Sequence, residues 1–257
     1  MGPVSARRSG STPASRGRLR YVLITLVMVG CAAVVSCGSS EEPAQPLKSV
    51  TRLPDPIDVA ATAGGDLRVL YLGDSITRGS GAATYADSFR EVATATMKQA
   101  LATDDHSVAK GGARLAQVAA MATPVVPAEL VVIELGTNDL LAPPTPIDEF
   151  RRQYRDLIGA VRAVNPSAAV VCMGVWRPPS KAEPYDSVIA DECGSARSRY
   201  LPLSDLFQDT QLRGPAGREA LGTNGEGDDF HPNDRGHSAI ANRLLGVLQL
   251  AGNSSGP

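Results

Sequence analysis

Aromatic residues are scarce in this chain: four phenylalanines, six tyrosines and one tryptophan in 257 residues, 4% of the total. That scarcity, with no long apolar lid, argues against a lipase for long acyl chains. Histidine is scarcer still, with three, and no HExxH pair stands among them to hold a zinc ion. Basic residues are not in excess, 25 against 27 acidic ones for a net charge of −2. A nucleic-acid-binding face needs Lys and Arg to pair phosphates, and this balance gives it no support. The apolar segment Tyr21–Ser36 is too short to span a bilayer comfortably, and no internal repeat is present.

The first 20 residues carry Arg7, Arg8, Arg16, Arg18 and Arg20 and no acid. A basic region, a short apolar region and then small residues read as a secretory signal peptide over residues 1–36. Retention as an N-terminal anchor is the competing reading. Val34-Val35-Ser36-Cys37 resembles the lipobox of bacterial lipoproteins, in which the cysteine is lipidated and becomes the new N-terminus. Cys31, after Met28-Val29-Gly30, is the poorer candidate, because methionine replaces the usual branched residue and cleavage there shortens the apolar region. Residues 37–65, opening Gly38-Ser39-Ser40-Glu41-Glu42-Pro43, are expected to form a flexible tether. Two acyl chains on Cys37 would hold the protein stably at a membrane, facing the extracytoplasmic side. Beyond the signal segment 20 basic residues remain against 27 acidic ones, a net −7 that favours solubility.

From Leu67 strand and helix signals alternate. Apolar runs at Arg68–Leu72, Leu130–Leu135 and Ala168–Val175 lack polar alternation and read as strands buried on both faces. Shorter strands are expected at Ser107–Ala109 and Arg199–Leu203. Helical spacing marks Thr84–Leu101, Leu115–Met121, Asp148–Val164, Glu183–Cys193 and Asn233–Leu250, and Ala251–Pro257 reads as a disordered tail. Five strands alternating with helices imply an α/β fold, a three-layer doubly wound parallel sheet, over residues 66–250.

Four polar motifs follow strand ends or precede the last helix. Gly73-Asp74-Ser75 delivers a serine straight after the first strand, where open α/β sheets bind ligands. Gly111-Gly112 lets backbone approach a ligand closely. Gly136-Thr137-Asn138-Asp139 offers the Asn138 amide to a developing oxyanion. In Asp228-Asp229-Phe230-His231 the three-residue spacing lets the Asp228 carboxylate fold back onto the His231 imidazole. That is the relation a Ser-His-Asp triad needs. Asp229 is a rival whose spacing fits less well. A metal held by Asp74, Asp139, Asp228 and His231 is the weaker alternative, and Asp139 reads better as a loop-fixing residue. His106 reads as a surface residue and His237 as a structural one.

In this order the motifs resemble the four blocks of the SGNH (GDSL-type) hydrolase superfamily, although the asparagine common at the start of the second block is missing. The resemblance implies a flavodoxin-like fold and ester hydrolysis with no metal or cofactor. Ser75 would be the nucleophile, His231 the general base and Asp228 its orienting partner. The N–H groups of Ser75 and Gly112 and the Asn138 amide would form the oxyanion hole. The expected reaction is hydrolysis of small acyl esters on carbohydrate or cell-envelope glycans, by a monomer. Two alternatives stay open: an acyltransferase using the same acyl-enzyme, and a non-catalytic envelope lipoprotein that keeps the fold for binding.

Two further features stay open. Cys172 and Cys193 either pair in an oxidising exterior or remain free and buried. Trp176-Arg177, past the fourth strand, either forms a subsite wall, with tryptophan on a sugar and Arg177 on a carboxylate, or the tryptophan plugs the core edge.

Overall fold

The computed structural model describes residues 55–63 and 65–251. The signal segment 1–36, Cys31, Cys37, most of the tether and residues 252–257 lie outside the described residues. Five strands form one parallel sheet: β2 (Leu67–Gly73), β3 (Thr103–Ala109), β4 (Leu130–Glu134), β5 (Ala169–Met173) and β6 (Arg199–Leu201), in the order β3-β2-β4-β5-β6. Counted among these five strands, that is the flavodoxin-like order 2-1-3-4-5. Its switch point falls between β2 and β4, which pair from Val69↔Leu130 to Gly73↔Glu134.

The strands are apolar on both faces because both are covered. Leu70, Leu72, Val131, Ile133, Val170 and Cys172 face one core. It is shared with α2 (Leu115–Met121), α3 (Ile147–Val164) and α4 (Pro179–Ser195). Leu67, Val69, Tyr71, Val132 and Val171 face the other, shared with α1 (Phe89–Ala100) and α6 (Asp234–Leu245). The helices bury one stripe each; on α3 it is Phe150, Tyr154, Leu157, Ile158 and Val161. Cys172 on β5 and Cys193 on α4 are joined by a disulfide across the first core. Among the described residues no helix is long and apolar enough to cross a membrane.

The structure departs from the sequence reading at the edges of elements. Residues 57–60, placed in the tether, form β1 (Ile57–Ala60). It pairs in parallel with β7 (Leu248–Ala251), which takes residues expected in the last helix and the tail. The last helix therefore stops at Leu245. The helix read from Thr84 begins at Phe89, because Ser88 is extended and caps it by accepting the Glu91 N–H. The strand read at 107–109 starts at Thr103, drawn out by its ladder with β2. α4 starts four residues early, at Pro179, since proline suits the first helical turn. A short helix, α5 (Ser204–Gln208), follows β6 and was not anticipated.

The small β1–β7 sheet lies beside the amino ends of the main strands. Asp55 O accepts from Arg199 Nε at the start of β6, and Ile57 and Asp58 line a hollow with Ala168 and Ala169 at the start of β5. Ser75 and Asn138 follow the carboxyl ends of β2 and β4, at the opposite end.

Candidate active site

Ser75 sits in a turn that its neighbours fix. Gly73 must be glycine: a Cβ there would lie 1.8 Å from Thr77 Oγ1. Asp74, fully buried, accepts the Ile76 N–H with Oδ1 at 3.0 Å and Asn138 Nδ2 with Oδ2 at 2.9 Å. Thr77 donates its hydroxyl, at 2.9 Å, and its N–H, at 3.2 Å, to Glu134 Oε2. The other oxygen of the Glu134 carboxyl, Oε1, is buried with no hydrogen-bond partner, and the Asp74 charge acts on it. Burial, reinforced by the Asp74 charge, holds Glu134 well above the usual carboxylate range and so favours its protonated form. Burial raises Asp74 too, against the hydrogen bonds and the nearby His231 that pull it down.

His231 comes to Ser75 from the loop before α6, a helix capped by the Asn233 side chain on Gly236 N–H. His231 Nε2 lies 2.9 Å from Ser75 Oγ, and Nδ1 lies 2.7 Å from Asp228 Oδ2. The carboxylate requires the proton on Nδ1, which leaves the Nε2 lone pair facing the serine hydroxyl. Asp228 also accepts the N–H groups of Phe230 and His231 with Oδ1. Partial burial opposes its ionisation, but the bonds from His231 outweigh that and hold its carboxyl below the usual range. Asp229 points elsewhere, accepting the Ala216 N–H at 2.9 Å.

The positions assigned to the oxyanion hole meet on the same cavity, about 600 Å³, lined by Ser75, Gly112, Asn138 and His231. Gly112 has φ +71°, a conformation that favours glycine. Neither its N–H nor that of Ser75 is spent on a hydrogen bond within the described residues. Asn138 differs: Nδ2 donates to both Asp74 and Ala113 O, so an oxyanion must share or displace one of these bonds.

Other residues resolve as follows. Asp139 fixes its loop, accepting the Leu115 N–H and the Thr145 hydroxyl. His106 is exposed on β3. His237 is buried, accepts the Phe89 N–H with Nδ1 and donates Nε2–H to Ser80 O. Among the described residues no group of three or more His, Cys, Asp or Glu is placed to hold a metal ion. Trp176 is not a subsite wall. It is fully buried and donates Nε1–H to Phe230 O at 2.8 Å, so it supports the loop that carries His231. Arg177 does line the cavity. Glu134 escaped the sequence reading, yet an acid inside the apolar run Leu130–Leu135 was the signal that could have found it.

The family model described as GDSL-like Lipase/Acylhydrolase family matches residues 71–239. No curated protein matches in sequence. Among solved structures, a family two carbohydrate esterase from Clostridium thermocellum, in complex with cellohexaose, superposes with a TM-score of 0.54 at 18% identity, over 72% of this chain and 65% of that one. This chain thus spans less than two thirds of that protein's length. A psychrotrophic esterase from Pseudoalteromonas sp. gives 0.56 at 16% identity, over 71% of this chain and 96% of that one. An extracellular lipase from Streptomyces rimosus gives 0.55 at 18%, over 70% and 99%. At these identities the likeness concerns the fold.

Proposed function

The chain belongs to the GDSL-like lipase/acylhydrolase family and is a serine ester hydrolase, and from that premise we propose that it removes small acyl groups from carbohydrate outside the cytoplasm, through an acyl-enzyme on Ser75. The observation that carries this reading is the continuous relay Asp228–His231–Ser75 opening on one cavity. His231 Nε2 takes the Ser75 proton as Oγ attacks the ester carbonyl. Charge developing on the carbonyl oxygen is met by the N–H groups of Ser75 and Gly112 and by the Asn138 amide. The C–O bond to the alcohol then breaks and His231 returns the proton to the departing oxygen. Water, deprotonated by His231, attacks the acyl-Ser75 carbonyl and releases the acid.

A small acyl group on a polar alcohol fits the cavity wall, which is largely glycine, serine and charged residues. Carbohydrate esterases among the structural neighbours agree with that choice. Export is supported by the Cys172–Cys193 disulfide and by the basic-then-apolar segment before Cys37.

Two experiments test the reading. p-Nitrophenyl esters of graded length should be cleaved fastest at two to four carbons, with acetate released from acetylated polysaccharide. A fluorophosphonate should label wild type but not Ser75→Ala. A preference for long chains, or labelling that survives the substitution, refutes it. For location, Cys37→Ser should release the protein from the membrane fraction or leave its precursor unprocessed, whereas Cys31→Ser should change little. The opposite pattern moves the anchor to Cys31.

A further inference from the structure

Two arginines on the cavity wall, Arg78 and Arg177, take no part in the relay. Arg177 follows β5, and its guanidinium carbon lies 4.4 Å from the centroid of the Phe230 ring. Its Nε is buried and has no hydrogen-bond partner. Among the described residues, every other arginine that is not exposed donates side-chain hydrogen bonds, some to carboxylates, as Arg90, Arg151 and Arg243 do, and some to carbonyl oxygens, as Arg162 and Arg213 do. Arg177 donates none and lies in no ion pair. Burial lowers its pKa, against the pull of the Asp74 charge. Polar groups withdrawn from water are normally satisfied, and a half-buried guanidinium with no acceptor is the exception that calls for a reason.

The surroundings narrow the reason. Of the two acids on the cavity wall, Asp228 is engaged by His231 and Glu226 is exposed. Arg78 also lines the cavity, beside Gly111, and it too has no side-chain hydrogen bond, but it is exposed where Arg177 is half-buried. Stacking on Phe230 occupies one face of the Arg177 guanidinium and holds its plane, which leaves its terminal N–H groups for an in-plane acceptor. A carboxylate matches that two-pronged donor. Phe230 packs edge-on against the His231 ring, with centroids 5.2 Å apart. His231 hands its proton to the leaving alcohol, so Arg177 stands on the alcohol's side of the scissile bond.

We propose that Arg177 is a specificity residue that receives a carboxylate borne by the alcohol part of the ester, so that the substrates are acyl esters of acidic alcohols, uronic-acid-type sugars among them. The proposal rests on the esterase reading above. It explains a cation left unpaired in a chain rich in acids, since the missing partner arrives with the substrate.

The test compares 3- and 4-acetoxybenzoate with 3- and 4-acetoxybenzamide, whose neutral amide stands where the carboxylate was. Each enzymatic rate is divided by that ester's own hydroxide-catalysed rate. Wild type should favour at least one benzoate over its amide by tenfold or more in kcat/KM, chiefly through KM. Arg177→Gln should bring that ratio to about one, and Arg177→Lys should keep part of it. Ratios near one in wild type, or a preference that Arg177→Gln leaves unchanged, overturn the proposal. The wild-type ratio and the lysine variant decide the matter if the glutamine variant does not fold. Cleavage of none of these esters counts against the esterase reading instead. The anion site is then read by thermal shift with 3- and 4-hydroxybenzoate against the hydroxybenzamides. Stabilisation of wild type but not Arg177→Gln supports it, and equal shifts overturn it.

Discussion

Asp228 grips His231 at two points: Oδ2 lies 2.7 Å from the ring Nδ1, and Oδ1 accepts the backbone N–H of the same residue at 2.7 Å. The carboxylate therefore sets both the tautomer and the tilt of the ring, and it stabilises the imidazolium formed during attack. Asp228→Asn should lower kcat by about 10²–10⁴ with the fold unchanged by circular dichroism. Asp229→Asn, which alters only a loop contact to Ala216, should stay within about threefold of wild type, the scale of a surface change of ~0.5 kcal/mol. Steady-state kinetics on one ester decides it, and the reverse ranking would transfer the role to Asp229.

Glu134 keeps a proton in the folded protein that the unfolded chain gives up near its ordinary pKa of 4.5. Above that pH the native state binds more protons than the unfolded state. Stability therefore falls as pH rises, by about 1.4 kcal/mol per unit, until the raised pKa is passed. Glutamine preserves the shape without titrating. Denaturant melts at pH 5 and pH 7 should show Glu134→Gln gaining on wild type as pH rises. A constant difference would mean that Glu134 is already ionised.

His237 works with the opposite sign. Burial pulls its pKa from 6.5 down to about 4, and both ring nitrogens are taken by Phe89 N–H and Ser80 O. Between those values the unfolded chain takes up a proton that the native ring refuses, so stability falls as pH drops from 6.5 toward 4. His237→Gln should be less stable at pH 7 yet lose less on acidification.

The Cys172–Cys193 bond closes a separation of 21 residues between β5 and α4. Loop entropy puts its contribution at roughly 3 kcal/mol. Cys193→Ala should lower the unfolding free energy by about that amount, read from denaturant melts, and a reducing agent should affect wild type but not the variant. Equal sensitivity of both to the reductant would disprove a structural role for the bond.

The sheet was legible because its central strands are apolar runs without polar alternation, and the relay was legible because each block falls just past a strand or just before a helix. What escaped depended on partners far away in sequence. Ile57–Ala60 is four ordinary residues, and only Leu248–Ala251, nearly two hundred positions later, makes it a strand. Ser88 reads as part of a helix until its extended backbone turns it into a cap. Trp176 could not be assigned between sugar platform and core until the Phe230 carbonyl was seen above its indole N–H. Arg177 is recognisable only by the bonds it does not make, which no sequence displays.

The β1–β7 ladder makes the domain a one-sided device. The ladder joins the first described strand to the last beside the amino ends of the main strands, and Ser75 opens from their carboxyl ends. Residues 55 and 251, where the described chain begins and ends, therefore lie at the end of the sheet away from the cavity. Substitutions on the β1–β7 ladder can be made without touching the wall of the cavity.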